Sequence, residues 1–423
     1  MSFRLGDTVP VDTAQSSEQT RTQVAEPLVI EVFGVRWALT FHGLEAAVVG
    51  TLHHLWSRAA VRDDRVDAPA ARPLAVVTSL EDHPAQADGE APIVVGHEAD
   101  DIPYTISRAV TLRSITRRRG EALMLHAVGV CGPDGATVVL VAPSGTGKTT
   151  AANALGKELG YVSDETIVVE DDGRISPYAK PLSIISDPDR RYRKQEHSPD
   201  DLGLLQPTPE APPHLAAMVV LRRDTAATTP EFTSEGLIDA VLMVIPETSA
   251  LPAMVDPLDR LCRALTQRGG PYKLRYAEIG DCVDLVRALT EADEERDAGA
   301  PTWEHHPGAD REDPVLGPED TDNADGATNP TNVEWTSTLT RRSWTDCIVS
   351  GGESILLHEG IPMRLSPLGT LLWLHADRPT ALEALHDRVI EEIGDHPRAH
   401  GLVLEAAQLL VDAKILAVVT PEP

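Results

Sequence analysis

The chain has 423 residues and a formal net charge of −29 at pH 7. That length allows two or three domains with a sizeable core, and so acidic a chain argues against a nucleic-acid backbone or an anionic membrane as partner. The widely spaced Cys131, Cys262, Cys282 and Cys347 fit reduced thiols better than a disulfide frame or a zinc site. No stretch reaches ~18 consecutive apolar residues, and the N-terminus lacks a signal-peptide pattern. We therefore expect a soluble, cytoplasmic protein.

The N-terminal part divides into a tail and a small α/β subdomain. Residues 1–25 are polar and poor in aromatic side chains, which is typical of a disordered tail. Residues 26–121 alternate strand and helix patterns, and we interpret them as an N-terminal α/β subdomain. Its predicted elements are one or two strands within 28–39, a helix over 44–60, a strand around 76 and a helix over 102–119.

A glycine-rich loop organises the next segment, 122–290. Residues 136–150 read ATVVLVAPSGTGKTT, where the apolar run 138–141 predicts a buried strand and the alanine-rich run after Lys148 predicts a helix to 159. Strand, glycine turn, Lys-Thr and helix in this order are typical of a phosphate-binding loop. The residues expected to bind nucleotide phosphates are Ser144, Gly145, Thr146, Gly147, Lys148, Thr149 and Thr150.

Each of these residue types has a chemical reason to be there. Gly145 and Gly147 let the backbone turn its N–H groups toward phosphate oxygens. Lys148 would place an ammonium on the β- and γ-phosphates, and the Thr149 hydroxyl would bind Mg²⁺. Ala142 replaces the first glycine of the usual pattern, which is tolerated if that residue keeps a negative φ.

Two predicted strands flank the loop. Residues 124–130, MLHAVGV, predict a strand that contains His126 and joins the loop strand through a hairpin turn. Residues 161–169, YVSDETIVV, predict one strand with Asp164 and Glu165 in its middle, and acids in an apolar strand tend to mark function. Because neighbours on a strand face opposite ways, at most one acid should point directly at the phosphates. The alternative is that an acid simply faces solvent.

The remaining patterns in this segment predict further strands and helices. We expect residues 178–185 to continue the sheet and residues 215–221 to form another buried strand. Asp224, which follows that strand, is a weaker magnesium candidate than Asp164. The basic run 190–194 lies in a polar loop that would either hold an anion or simply be solvated. Helices are predicted over 233–246, 257–268 and 282–292, with a strand over 273–279.

The C-terminal part combines an acidic linker with a compact module. Residues 291–334 are acidic and nearly without core residues, which predicts a disordered, extended linker; His305 and His306 within it are weak evidence for a metal site. Residues 335–423 predict three short strands, a helix capped by Ser366, a helix that starts at a capping box of Thr380 and Glu383, a third helix and a last strand. This pattern resembles a winged-helix module, and its acidic charge argues against DNA binding.

Segment 122–290 resembles the kinase domain of the HPr kinase/phosphorylase family. The resemblance rests on LHAVGV with His126, the loop PSGTGKT and the strand YVSDE, at spacings close to those of the family. It implies an α/β fold with a P-loop kinase core of the HPr kinase/PEP carboxykinase type. It also implies that Asp164 is the general base and that Asp164 and Glu165 are acids on the magnesium side of the site. His126 would have a supporting catalytic role near the phosphates. The chain departs from the family in having Asp-Glu for Asp-Asp and in lacking the later signature of true HPr kinases.

The C-terminal module resembles the PqqD family of small peptide-binding proteins. The matching segment is 365–385, LSPLGTLLWLHADRPTALEAL, with Ser366 in place of the usual Asn. The resemblance implies that a precursor peptide adds as an extra strand to the small sheet, here along one of the strands between Cys347 and Leu365. A winged-helix packing or dimerisation module is the alternative.

Together these patterns lead to the hypothesis of a kinase that uses ATP and Mg²⁺. Its acceptor would be a hydroxyl on a peptide or small protein, held by the C-terminal module and delivered to the loop by the linker. Two alternatives stay open: a catalytically silent protein that binds a nucleotide and a peptide, and a small-molecule kinase. No nucleic acid or membrane is expected as a partner, and a homo-oligomer is compatible with the sequence.

Overall fold

The computed structural model describes residues 26–61, 70–80, 91–96, 101–143, 145–185, 194–291, 300–308 and 332–419. Over these ranges the chain is a mixed α/β protein with several sheets, as the sequence predicts. The predictions for residues 1–25, for Ser144 and for residues 190–193 lie outside the described residues. Within the described ranges, every helix is too short or too polar to cross a membrane.

The N-terminal subdomain packs a four-stranded sheet against two helices. The sheet order is β1-β2-β3-β4, with β1 and β2 antiparallel and the other pairs parallel. Trp37 is buried beneath the second helix, where its indole Nε1 donates to Ser114 Oγ at 2.9 Å. The elements are β1 (Leu28–Val32), β2 (Val35–His42), α1 (Ala46–Leu55), β3 (Arg72–Val77), β4 (Ile93–Val94) and α2 (Asp101–Arg117).

The central domain is built on a six-stranded sheet. The first half of the domain contains β5 (Leu123–Leu125), β6 (Ala127–Cys131), β7 (Ala136–Val141), α3 (Lys148–Leu155), β8 (Gly160–Ser163), β9 (Ile167–Val169), β10 (Ile175–Ser176), β11 (Leu182–Ile185) and β12 (Lys194–His197). Its second half contains β13 (His214–Arg223), β14 (Glu231–Ser234), α4 (Leu237–Val244), β15 (Thr248–Ser249), α5 (Pro257–Thr266), β16 (Tyr272–Tyr276) and α6 (Val283–Thr290). The order of the large sheet is β14-β16-β13-β7-β6-β8.

Strand β7 lies inside this sheet and every one of its residues is buried. It pairs with β13 in parallel and with β6 antiparallel, so the predicted hairpin before the loop is confirmed. Apart from Thr137, whose hydroxyl donates to the Gly135 carbonyl at 2.9 Å, the strand is apolar because both of its faces are covered. The glycine loop therefore starts from a rigid part of the fold.

Two strands that the sequence predicts as continuous are interrupted at the loop. The predicted strand 124–130 divides into β5 and β6 at His126, because the His126 N–H donates to the Glu247 carbonyl at 2.7 Å and the two strands join different sheets. The predicted strand 161–169 divides into β8 and β9, with Asp164 and Glu165 in the connection. Both interruptions bring polar side chains to the edge of the glycine loop.

Three other predictions for the central domain are wrong in part. Residues 182–185 do not continue the large sheet but pair with β12 in a separate two-stranded sheet. The predicted helix 233–246 begins as strand β14, whose partner is β16, and becomes helical only at Leu237. The helix after the glycine loop ends at Leu155 rather than at residue 159.

The C-terminal module has the predicted strand meander followed by three helices. Its elements are β17 (Glu304–Pro307), β18 (Thr338–Arg341), β19 (Asp346–Ser350), β20 (Glu353–His358), β21 (Ile361–Leu365), α7 (Pro367–His375), β22 (Thr380–Ala381), α8 (Leu382–Ile393), α9 (Ala399–Asp412) and β23 (Leu416–Val419). The Ser366 cap is confirmed, since its Oγ accepts from the Gly369 N–H at 3.2 Å. The capping box is wrong: Thr380 lies in β22, and its hydroxyl donates to the Arg378 carbonyl at 2.8 Å.

The expectation of a wholly disordered linker over 291–334 is wrong for residues 300–308, whereas residues 292–299 and 309–331 lie outside the described residues. Glu304–Pro307 form β17, which pairs antiparallel with β19 and becomes one edge of the sheet β17-β19-β20-β21. Trp303 Nε1 donates to Asp259 Oδ1 of α5 at 2.9 Å, which attaches the segment to the central domain. The strand forms because β19 offers it an unpaired edge, which the polar sequence of the segment does not reveal.

The C-terminal sheet also packs directly on the central domain. Ile348, Ile355 and Leu357 are buried in the same apolar cluster as the inner faces of α4 and α5. Fully buried Asp346 accepts from the Leu258 N–H at 2.7 Å through Oδ2, and its Oδ1 hydrogen bonds with His305 Nε2 at 2.7 Å. The module is thus held against α4 and α5 rather than tethered only by a linker.

Candidate functional site

The loop between β7 and α3 turns through two glycines in the left-handed region. Gly145 has φ 81° and Gly147 has φ 102°, and other residues rarely adopt such values without strain. A Cβ at either glycine would meet no atom closer than 3.9 Å, so the backbone conformation, not lack of space, requires glycine. Ala142 keeps a negative φ, as its substitution for the usual glycine demands.

A cavity of about 390 Å³ lies beside this loop. Of the residues predicted from the sequence, those lining the cavity are His126, Gly145, Gly147, Lys148, Thr149, Thr150, Asp164 and Glu165. Thr146 is exposed and does not line it. Asp224 is also absent from the cavity wall, and its carboxylate pairs with Arg275 at 2.8 Å. The wall further includes Asn153 and Ser183, which the sequence did not single out, and Lys194, the last residue of the basic run for which anion binding was one of two alternatives.

Asp164 and Glu165 both line the cavity. The alternation of a strand does not apply to them, because they lie in the connection between β8 and β9. Their environments differ: the Asp164 side chain is 2% exposed and accepts from Tyr161 Oη at 3.0 Å, whereas the Glu165 side chain is 41% exposed. Asp164 is held by its neighbours, whereas Glu165 is exposed enough to contact a ligand.

Lys180 is a buried cation behind the acid pair that the sequence analysis missed. Its Nζ lies 3.1 Å from Asp164 Oδ1 and 3.9 Å from Glu165 Oε2, and it donates to the Pro181 carbonyl at 2.8 Å. Burial alone would lower the pKa of Lys180, but the carboxylates of Asp164, Glu196 and Glu165 hold it above its ordinary value. Lys180 therefore stays charged and compensates the two adjacent acids.

Glu196, on β12, interacts electrostatically with Lys180. Burial raises the pKa of this carboxyl above its ordinary value, although Lys180 and a hydrogen bond from Ser183 act in the opposite direction. A lysine within an apolar segment such as YAKPLSII was the signal in the sequence that pointed to a buried charge. The acid pair thus belongs to a group in which Lys180 is surrounded by the carboxyl groups of Asp164, Glu165 and Glu196.

Glu247 was also missed, and it contacts two of the predicted site residues. Its Oε2 lies 3.4 Å from Lys148 Nζ and 3.4 Å from His126 Nδ1, and its side chain is 11% exposed. Lys148 Nζ also donates to the Ala142 carbonyl at 2.5 Å. Glu247 is separated from Lys148 by 99 residues in the sequence, so no local pattern connects them.

The charges of His126 and Lys148 are weakened by their surroundings. Burial lowers the pKa of His126 and the neighbouring Lys148 lowers it further, while Glu165 and Glu247 act against this. Burial likewise lowers the pKa of Lys148, with Glu247 and Glu165 opposing it. The lowered pKa of His126 favours its neutral form near pH 7, in which one ring nitrogen is a donor and the other an acceptor.

The donors around the cavity suit a phosphate group with a divalent cation. The Lys148 ammonium and the backbone N–H groups at the start of α3 are anion-binding groups. The Thr149 hydroxyl and the carboxylates of Asp164 and Glu165 are hard oxygen ligands of the kind that Mg²⁺ prefers. The residues present therefore fit Mg²⁺ together with nucleotide phosphates.

Comparison with known proteins adds little to this geometry. No family model matches the chain, and no curated protein matches it. Among solved structures, it is similar to the HPr(Ser) kinase/phosphatase from Coxiella burnetii, with 12% sequence identity and a TM-score of 0.22 over 40% of this chain and 93% of the other. A likeness of this strength carries no argument, so the functional assignment depends on the cavity itself.

Proposed function

We propose that the protein is an HPr kinase-like phosphotransferase that passes the γ-phosphoryl group of ATP to a hydroxyl of a peptide or small protein. The observation that carries this proposal is the convergence of Lys148, Thr149, Asp164 and Glu165 on one cavity at the glycine loop. A structural glycine turn between a strand and a helix would not require two acids and a lysine on the same cavity wall.

Each residue has a role in the proposed transfer. Lys148 exchanges the Ala142 carbonyl and Glu247 for phosphate oxygens, and the backbone around Gly145 and Gly147 donates to the same group. Thr149, Asp164 and Glu165 would hold Mg²⁺, which when bound neutralises charge on the phosphates.

The proton of the acceptor hydroxyl goes to Asp164. The acceptor oxygen forms a bond to the γ-phosphorus while the bond to the β–γ bridging oxygen breaks, which releases ADP. Tyr161 and Lys180 bind Oδ1 of the Asp164 carboxylate, so Oδ2 is the oxygen available to the proton. The Asp164 carboxylate is thereby held in one orientation.

The peptide would add to strand β21 of the C-terminal sheet. In the described part of this sheet, β17 covers the outer edge of β19 and β20 is interior, so β21 is the one strand between Cys347 and Leu365 with an unpaired edge, while β17 forms the opposite edge. Ile361 on this strand is 62% exposed, which offers an apolar contact to an added strand. Arg364 of β21 pairs with Asp239 of α4 at 2.8 Å, and the chain beyond α4 leads to Glu247, which contacts Lys148 and His126 of the cavity wall.

A second candidate is a protein that binds a nucleotide and a peptide but transfers nothing. The observation that favours it is the engagement of Asp164, whose nearly buried carboxylate already contacts Lys180 and Tyr161. A carboxylate already bound by a lysine and a tyrosine is equally compatible with a purely structural role. The two candidates differ in what Asp164 does, which an experiment can decide.

The test is incubation of the full chain with MgATP and each peptide encoded beside its gene, followed by intact mass measurement. A kinase adds one phosphoryl group, loses this activity in Asp164→Asn and Lys148→Ala, and still binds ATP in Asp164→Asn. Asp224→Asn, which changes an acid away from the cavity, is the matched control and should transfer normally. ATP binding without transfer to any of these peptides, unchanged by Asp164→Asn, would establish the second candidate instead.

A further inference from the structure

We infer that Glu247 is a positioning residue of the proposed kinase: it orients His126 toward the cavity and competes with nucleotide phosphates for Lys148. The inference rests on the proposed function and assigns a role to a residue that neither the glycine loop nor the acid pair contains. Glu247 lies between α4 and β15, and its carboxylate is shared by the His126 imidazole and the Lys148 ammonium.

The backbone holds Glu247 in a fixed place. The Glu247 carbonyl accepts from the His126 N–H at 2.7 Å, and the next residue, Thr248, pairs with Leu125 in the ladder between β15 and β5. The Thr248 hydroxyl also donates to the Ile245 carbonyl at 2.6 Å. Glu247 and His126 are therefore linked by a main-chain hydrogen bond and lie 3.4 Å apart at their side chains, so the position of one depends on the other.

The position of the carboxylate is unfavourable for simple nucleotide binding. Lys148 must bring its positive charge to the phosphates, yet Glu247 lies 3.4 Å from the same ammonium. The phosphates of a nucleotide that enters the cavity must displace Glu247 from Lys148. They are also repelled by the negative charge of Glu247, which stays close by. Glu247 thus lowers the affinity of the ground state, and such a cost is useful only if the residue improves a later step.

The improvement is the orientation of His126. Its Nδ1 lies 3.4 Å from Glu247 Oε2, which leaves Nε2 on the side of Glu165, at 3.8 Å from Glu165 Oε1. The side chains of His126 and Glu165 both line the cavity. A carboxylate at Nδ1 fixes the plane and the tautomer of an imidazole ring. His126 can then donate to or accept from a group at the reacting phosphate without first reorienting.

The competing explanation is that Glu247 is only a counter-ion for a buried lysine. The chain offers a comparison in Lys273 and Glu235, a lysine–glutamate pair that is more exposed, at 24% and 19% against 7% and 11%, and that lies outside the cavity. A counter-ion of that kind stabilises the fold, and its neutralisation should change neither nucleotide affinity nor turnover. The two explanations therefore predict opposite results for a variant that keeps the shape of Glu247 and removes its charge.

The experiment compares Glu247→Gln, Glu247→Asp and Glu235→Gln in the full chain. Dissociation constants for MgATP and MgADP are measured by calorimetry, kcat by phosphoryl transfer to the peptide substrate, and folding by thermal melting. Glu247→Gln should bind nucleotide about fivefold to tenfold more tightly because the competing charge is gone. Its kcat should fall about tenfold to a hundredfold because His126 loses its orientation. Glu247→Asp should bind nucleotide about as tightly as the wild type, because the negative charge is kept. Its kcat should fall, because the shorter side chain no longer reaches His126.

Each outcome decides the inference. Tighter nucleotide binding by Glu247→Gln, with unchanged nucleotide affinity in Glu235→Gln, supports the inference. This holds even if the wild type transfers no phosphoryl group, because the dissociation constants are measured without turnover. Unchanged or weaker binding in a Glu247→Gln variant that melts normally overturns it while leaving the proposed function intact. If Glu247→Gln does not fold, unchanged kcat in Glu247→Asp overturns it. A wild-type chain that binds no nucleotide overturns both proposals.

Discussion

Replacing Lys180 with methionine should destabilise the protein strongly. The side chains of Lys180 and Asp164 are each 2% exposed, and Nζ lies 3.1 Å from Oδ1. Methionine keeps most of the side-chain volume but leaves the Asp164 carboxylate buried without its cation. Removing one partner of a buried ion pair costs about 3–5 kcal/mol, because the remaining charge is not compensated. For a domain of about 150–250 residues, a loss of that size lowers the melting temperature by roughly 6–20 °C.

The assay is chemical and thermal unfolding at pH 7, followed by circular dichroism. Lys180→Met combined with Asp164→Asn should recover at least half of the loss, because the double variant no longer buries the unpaired charge. Arg174→Met is the control, since Arg174 pairs with Asp172 on the surface and should lose no measurable stability. A Lys180→Met variant as stable as the wild type, or a double variant no better than the single one, would refute this account of the acid pair.

Two further predictions concern the C-terminal module. Asp346→Ala should lower the free energy of unfolding by about 2–5 kcal/mol, because the N–H groups of Leu258 and Cys347 lose their buried acceptor. Denaturant unfolding measures this loss, and a value below about 0.5 kcal/mol would contradict the docking of the module on α5. Burial lowers the pKa of His306 below its ordinary value of 6.5, so the unfolded chain binds this proton more readily and stability falls as the pH drops below 6.5. The melting temperature of His306→Gln should fall less than that of the wild type between pH 7 and pH 5, and identical pH profiles would show that His306 does not contribute.

Parts of the site that depend on neighbouring residues could be predicted from the sequence. The glycine loop is local: an apolar strand, glycines that adopt positive φ at 145 and 147, and Lys148 at the start of a helix follow one another along the chain. The same holds for the Ser366 cap, which bonds to a residue three positions later. In these cases the sequence contains both partners of each interaction.

The parts that were missed depend on distant partners. His126 interrupts a strand because its N–H bonds to Glu247, and the acid pair tolerates burial because Lys180 lies behind it. Glu304–Pro307 form a strand because β19 offers an unpaired edge, although their own sequence is polar. Periodicity along one segment cannot reveal a hydrogen-bond or charge partner that another segment supplies.

The most direct test of the central claim, that nucleotide phosphates bind at the loop between β7 and α3, is the melting temperature with and without MgATP. ATP at ~100 times its dissociation constant should add about 2.7 kcal/mol of stability, and Lys148→Ala should abolish this gain without unfolding the chain. Equal stabilisation of the wild type and Lys148→Ala, or no stabilisation of either by MgATP, would contradict the assignment.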